Sequence, residues 1–471
     1  MPPRSSKKSK AKQKSQLVFH WIKLPREIAD LVISYLKTDK NALLACSLVG
    51  HEFSDISARH RFSDIDLPWG DKAGELERAE RLLSTLLSSS RIKFAARSLS
   101  ITFGRSKKPG PVVAIYVTCL QQFSNLRNLS LHGDYAGHVT WQNIVPVLMQ
   151  SSILELLKRN SIDALYVDCL RGVPYELLTS CGRLSTVAAE YFSFAQPAEP
   201  LNNDERSSSN RPLRLTKLRL SEAIDRGSHH FIQWILEKKS LIHLSSLNHL
   251  TIFMPGNESH SSYTRYLTQL LSLVDGDSLQ SLYIDFRREN SIWDADLQNF
   301  SIERFQNLRY LRLHIPWCLP RSGVKFGNPL PFILTLLNQL NGHHSIEEIS
   351  VKLWPICEEY HKENLFLLAE ESPRTDLVLS GLPSLRRLLF TLAVKEKRST
   401  ERRPPHLSLI RSALAKAFRL VKDKELLFFE SNTDFEGFRE YDNPSLMEQI
   451  FPVKYRMTRQ GCGVMIETVR Y

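Results

Sequence analysis

Leu308-Arg309-Tyr310-Leu311-Arg312-Leu313 is the stretch from which the fold of this chain is read. Leu311 and Leu313 lie two apart, so in an extended strand both fall on one face, and Tyr310 and Arg312 fall on the other. The same spacing returns at Leu126, Leu129 and Leu131, at Leu215, Leu218 and Leu220, and at Leu247, Leu250 and Ile252. It returns again at Leu279, Leu282 and Ile284, at Ile346, Ile349 and Val351, and at Leu385, Leu388 and Phe390, with weaker copies starting at Ala96 and Ile162. Successive starts are roughly 30 to 40 residues apart, the range of repeated supersecondary units.

Between these clusters lie amphipathic helical stretches at Trp141–Leu157, His229–Leu236, Tyr263–Val274 and Phe332–Leu340. Each unit is a strand followed by a helix. One such unit cannot close a core around its own leucines, so neighbours must stack. The expected fold is α/β, with repeated strand–helix units over residues 68–471, inserted loops at Arg105–Pro111, Leu201–Pro212 and Lys395–Pro405, and a terminal cap from Leu407 onward. A non-repetitive α/β domain with similar buried parallel strands is the alternative.

The N-terminal part is organised differently. Residues 1–16 are a Lys/Ser tail, expected to be disordered, whose Arg4, Lys7, Lys8, Lys10, Lys12 and Lys14 carry half of the chain's net charge of +12. At Leu17 the composition turns apolar. Pro25 suits a first helical turn and Glu27 its positive end. Ile28, Leu31, Val32, Tyr35 and Leu36 then follow at helical spacing. The polar run Lys37–Asn41 interrupts the pattern, Leu43, Leu44, Leu48 and Val49 resume it, and a short amphipathic piece from Phe53 to Phe62 completes three helices. So small a module buries little core of its own, and its apolar remainder asks for a partner.

The segments Leu24-Pro25-Arg26-Glu27-Ile28, Val32-Ile33-Ser34-Tyr35-Leu36 and Leu43-Leu44-Ala45-Cys46-Ser47-Leu48-Val49 resemble the F-box, an L-P-x-E-[IL] opening followed by two leucine-rich runs. The later Arg61-Phe62-Ser63-Asp64-Ile65-Asp66-Leu67 makes the match similar to the form found in basidiomycete fungi, and sets the module at residues 17–67. Gly50-His51-Glu52-Phe53 departs from the usual close, keeping an aromatic residue but weakening the charge. The resemblance implies a small three-helix module that binds a Skp-type adaptor and, through it, a cullin. Its contact surface would comprise Leu24, Pro25, Ile28, Val32, Leu36, Leu43, Leu44, Leu48, Val49 and Phe53.

The repeats behind it look like the irregular leucine-rich repeats common after F-boxes. Where a regular repeat carries a buried Asn or Cys, this chain has Asp134, Ala223, Pro255, Arg287, Pro316, Trp354 and Ala393, so the usual Asn ladder is lacking. The expected architecture is therefore an F-box followed by an irregular leucine-rich-repeat solenoid.

Bulk chemistry fits a non-enzymatic protein. Of 471 residues, 42% are hydrophobic and 24% charged, as in folded globular chains. Neither a membrane-length apolar run nor a secretory signal is visible, which points to a cytoplasmic or nuclear location and away from a membrane partner. The cysteines Cys46, Cys119, Cys169, Cys181, Cys318, Cys357 and Cys462 are scattered, as expected of reduced core thiols. No phosphate-binding, hydrolase or zinc-protease motif occurs, and the adjacent pairs His229-His230 and His343-His344 are poorly spaced as metal ligands. We therefore expect no cofactor, no metal and no catalytic residue.

By the resemblance, the chain is the substrate-recognition subunit of an SCF-type ubiquitin ligase, holding an unidentified client protein near a separate conjugating enzyme. Nucleic acid is not the expected partner. A leucine-rich scaffold outside any ligase, and a nuclear nucleic-acid-associated protein led by the basic tail, are the competing classes. Strand alternation puts Asn128, Ser130, His132, Lys217, Arg219, His249, Thr251, Ser281, Tyr283, Asp285, Tyr310, Arg312, His314, Glu348, Ser350, Lys352 and Arg387 on the outward face. Among these, Lys217, Arg219, His249, Tyr283, Tyr310 and Arg312 are the expected client contacts, suited to an acidic or phosphorylated segment.

Overall fold

A computed structural model describes residues 25–37, 39–69, 74–104, 110–134, 139–195, 212–221, 227–237, 242–253, 267–286, 300–316, 330–354, 372–393, 406–432, 455–460 and 463–468. The chain divides into two compact units at Arg61 and Phe62. The sequence reading carried the first module on to Leu67. The strand Asp64–Trp69 pairs in parallel with Ser98–Phe103, so it belongs to the second unit.

The first unit contains α1 (Arg26–Tyr35), α2 (Lys40–Ser47) and α3 (His51–Arg61). Pro25 stands at the N-cap of α1, and Glu27 lies in its positive first turn. Asp39 caps α2, its carboxylate accepting from the Asn41 and Ala42 amides at 2.9 Å each. That cap is why the polar interruption of the sequence starts a new helix. Ala29, Ile33, Leu43 and Ile56 form the core, with Leu36, Cys46 and Phe53 packed around it. Arg59 and His60 of α3 both approach Asp30 of α1 at 3.4 Å.

The second unit is mixed α/β and is dominated by one large parallel sheet. Its strands are β1 (Asp64–Trp69), β2 (Ser98–Phe103), β3 (Asn128–Gly133), β4 (Ala164–Asp168), β5 (Thr186–Glu190) and β6 (Lys217–Ser221). They continue as β7 (His249–Phe253), β8 (Ser281–Asp285), β9 (Tyr310–Pro316), β10 (Glu348–Trp354), β11 (Arg387–Ala393) and β12 (Leu427–Asn432). The spatial order follows the chain order. The weak copies at Ala96 and Ile162 are true members, as β2 and β4. β5 was missed from sequence because Val187 and Ala189 replace its leucines. β12, read as part of a terminal cap, is a further strand of the same sheet.

The register aligns the apolar positions across every strand. Leu99 pairs with Leu129, Leu129 with Leu165, Leu218 with Leu250, Leu282 with Leu311, and Ile349 with Leu388. These side chains are buried in a core shared with the intervening helices, including Val113, Met149, Ile153, Phe231, Leu337 and Phe418. Helix Glu75–Ser88 packs on Pro111–Gln122, which packs on Val147–Arg159. The helix expected over Trp141–Leu157 is split into Trp141–Ile144 and Val147–Arg159, because Pro146 has no N–H to continue it. Across the break, the Gln150 side-chain amide donates to the Trp141 and Val145 carbonyls, at 3.1 and 2.7 Å, the former also accepting from the Val145 amide.

Just ahead of the strands, the backbone repeats one device. The Gln280 carbonyl accepts from both Arg309 and Tyr310, that of Arg309 from Glu347 and Glu348, and that of Glu347 from Arg386 and Arg387. The same forked bond starts at Ser63 and recurs at Arg97, Arg127, Asp163, Ser185, Thr216 and Asn248. On the helix side, amide side chains take over the missing Asn ladder. Asn125 donates to the Phe94 carbonyl at 2.9 Å, Asn160 to Phe123 at 3.2 Å, Asn307 to Asp277 at 2.7 Å and Gln339 to Phe300 at 3.2 Å. Each reaches back 30 to 39 residues, to the preceding strand–helix unit.

The two edges of the sheet differ. β1 carries Asp64, Asp66 and Pro68, and charge and proline discourage further pairing. β12 reads Leu427-Phe428-Phe429 and pairs only with β11 among the described strands. The segment beyond it contains an antiparallel hairpin of Tyr455–Gln460 with Gly463–Thr468.

Candidate interaction surfaces

In the first unit, α1 is apolar on more than one side. Ala29 and Ile33 point into the core, and Ile28, Leu31, Val32 and Tyr35 remain exposed. Leu44, Leu48 and Val49 are exposed as well, with Tyr35 at 78% and Leu48 at 82% of full accessibility. Of the ten expected contact residues, Pro25, Ile28, Val32, Leu44, Leu48 and Val49 are surface positions. Leu43 is not, since it is fully buried in the module's own core. Leu36 and Phe53 also pack inward, half-buried against that core. Leu24 lies outside the described residues. Leu31 and Tyr35 belong to the exposed set, although neither was among the ten. Their helical spacing marks them as apolar, but spacing alone does not separate inward from outward positions on so small a module.

On the second unit, the odd positions of each strand form rows across the sheet. One row runs Lys217, His249, Ser281, Tyr310, Glu348 and Arg387, and the next runs Arg219, Thr251, Tyr283, Arg312 and Ser350. All six expected client contacts fall on these two rows. The face is less open than alternation implied: Arg219, Ser130, His132, Thr251, Ser281, Asp285 and His314 are buried.

Arg219 and Arg312 are also already engaged by acids from neighbouring strands, and Arg387 lies over the Phe428 ring at 5.5 Å. Arg219, only 6% accessible, lies 2.6 Å from Glu190 and stacks over the Phe253 ring at 5.5 Å. Phe253 meets Tyr283 edge to face at 5.5 Å, and the Tyr283 hydroxyl donates to Asp285 at 3.2 Å. Asp285 in turn faces His314 Nδ1 at 3.2 Å. A continuous polar and aromatic chain thus crosses from β5 to β9. Arg312 donates to Glu348 at 3.1 Å and Arg309 Nε to Glu347 at 2.6 Å. An acidic ligand must therefore compete with acids already in place, which corrects the simple expectation of a basic face.

Lys217 and His249 are neighbours in register. Burial holds the Lys217 ammonium below its ordinary pKa. The His249 imidazole is lowered to about 4, by burial first and by the Lys217 charge second. His249 is therefore neutral at physiological pH.

The remaining chemistry is that of a core. Cys119, Cys169 and Cys181 are buried free thiols, and burial raises Cys119 and Cys181 to about 12, far from a reactive thiolate. Cys46 is half-buried; Cys318, Cys357 and Cys462 lie outside the described residues. Among the described residues, no group of His, Cys, Asp and Glu could hold a metal ion, and no helix is long and apolar enough to cross a membrane. Comparison of the chain with protein-family models and with curated proteins returned no match.

Proposed function

We propose that this chain is the substrate-recognition subunit of an SCF-type ubiquitin ligase, with an F-box that binds a Skp-type adaptor and an irregular leucine-rich-repeat solenoid that binds a client protein. The observation that carries the reading is the exposed apolar surface of Ile28, Leu31, Val32, Tyr35, Leu44, Leu48 and Val49 on a module whose core is four residues. So many exposed apolar side chains on one small module mark an interaction site, and a small helical module gains most from a partner that covers them. The solenoid reading is supported by strands that pair in chain order, by one backbone bond repeated before successive strands, and by amide side chains that tie four of the units to the one before. In this role the chain contributes two bindings and no catalytic group; proximity raises the client's effective concentration at the conjugating enzyme.

The test is capture of a recombinant Skp-type adaptor by the full chain, compared with Tyr35→Asp and Leu48→Asp. Both positions are exposed, so the module should keep its helical circular dichroism. Burying a charge where an apolar contact belongs should weaken capture by about thirtyfold or more. Undiminished capture by both folded variants would remove the F-box assignment.

A further inference from the structure

The odd-position face of the sheet changes character along its length. From β1 to β5, its charged residues are Asp64, Asp66, Asp168 and Glu190, all acidic, and small polar residues such as Ser98, Ser100 and Asn128 fill much of the remainder. From β6 to β11, the same positions hold Lys217, Arg219, Arg312, Lys352 and Arg387 against Asp285 and Glu348. Asp168 and Glu190 are buried, so the accessible acids of the first part are Asp64 and Asp66 on β1. Lys217, Arg312, Lys352 and Arg387 are half-exposed. The Glu190–Arg219 ion pair stands where the sign changes.

We propose that this face takes an extended, charge-segregated polypeptide of the client, with its basic end over β1 to β3 and its acidic end over β6 to β11. The proposal rests on the client-binding role given to the repeats above, and adds the chemistry and orientation of what they bind. Strands in a sheet are about 4.8 Å apart, so the two charged regions are separated by several times the screening length of about 8 Å in physiological salt. Each region therefore selects its own end of the ligand, and one sign of charge along a whole segment would be attracted at one end and repelled at the other. Ten strand spacings amount to about 48 Å, and an extended chain rising about 3.3 Å per residue spans that with about fifteen residues. Nucleic acid, negative throughout, complements only the second region.

The probes are fluorescently labelled peptides of about fifteen residues, one with a lysine block, a Gly/Ser spacer and a glutamate block, and two in which a single block is kept, measured by anisotropy on the full chain at about 150 mM salt, where the screening length is about 8 Å. Variants are Asp64→Lys with Asp66→Lys, and Lys217→Glu with Arg387→Glu, each checked by circular dichroism; Lys217→Gln with Arg387→Gln replaces the latter if it misfolds. The two-block peptide should bind more tightly than either single-block peptide, and each variant should weaken it by about tenfold. The β1 variant should affect only the lysine-block peptide, and the β6/β11 variant only the glutamate-block peptide. Equal loss of both peptides in one variant, or no response in either, overturns the proposal. So does an oligothymidylate of similar length that displaces the two-block peptide and depends on Lys217 and Arg387, which would assign the face to nucleic acid. Adaptor capture by the first unit, measured on the same preparations, is expected to be unaffected and tests the ligase reading separately.

Discussion

The Arg219 guanidinium lies 2.6 Å from the Glu190 carboxylate, both side chains nearly buried and carried on adjacent strands. Taking two charges out of water is costly, and the pair holds because each satisfies the other and because Arg219 also covers the Phe253 ring. Glu190→Ala removes this carboxylate from beside the buried cation and should lower unfolding stability by about 3 kcal/mol in urea titration. Adding Arg219→Met should recover much of the loss, since the charge then no longer needs a partner. A single variant as stable as wild type would show that the pair contributes nothing.

Asn160 is fixed from three sides. Its amide donates to the Phe123 and Leu156 carbonyls at 3.2 and 3.0 Å and accepts from the Leu126 amide at 3.1 Å. Asn160→Leu leaves the buried Leu126 N–H without its acceptor, while the Phe123 carbonyl keeps the Arg159 guanidinium and the Leu156 carbonyl keeps the backbone N–H of residue 160, and the expected cost is about 1–3 kcal/mol. Asn125, more exposed, donating to the Phe94 carbonyl and accepting from the exposed Arg97 guanidinium, should cost less as Asn125→Ala. The two midpoints compared in one titration check the ranking.

Gly133 has no room for a side chain. A Cβ there would sit 2.0 Å from the Cys169 carbonyl oxygen, a backbone atom that moves only if β4 moves. Gly133→Ala should destabilise by more than about 2 kcal/mol. Gly182→Ala, where nothing lies within 4 Å, should be close to neutral and is the control for the melting measurement.

His249 predicts an acid limb in stability. Its folded-state pKa, about 4, is below that of the unfolded chain, so the unfolded state takes up the proton first as pH falls. The contribution is fully present above the ordinary histidine range and is lost progressively on acidification towards pH 4. His249→Gln should flatten the dependence of stability on pH between about 6.5 and 4. An unchanged slope would mean that His249 is not buried as a neutral group.

Much of the sheet was legible because its signal is local and periodic. Leu308, Leu311 and Leu313 announce β9 by spacing alone, and the same pattern finds most of the other strands. β5 escaped because Val187 and Ala189 satisfy the core without looking like leucine, and the first module extends to Leu67 in sequence because Arg61 to Leu67 belongs to the F-box resemblance, whereas Asp64–Trp69 pairs into the sheet. The surfaces were harder. Alternation gives the side to which Arg219 points, but not that Glu190, from the preceding strand, meets it there. Likewise helical spacing marks Leu43 and Leu48 equally as apolar, and only the packing of α2 against Ile33 and Ile56 separates the buried one from the exposed one.

The unlike edges give the sheet a direction of growth. At β1, Asp64, Asp66 and Pro68 make a poor template for another strand. At β12, Leu427, Phe428 and Phe429 form an apolar strand that pairs only with β11 among the described strands, a better template for an added strand–helix unit. Lengthening by duplication is thus tolerated on the β12 side and resisted at β1.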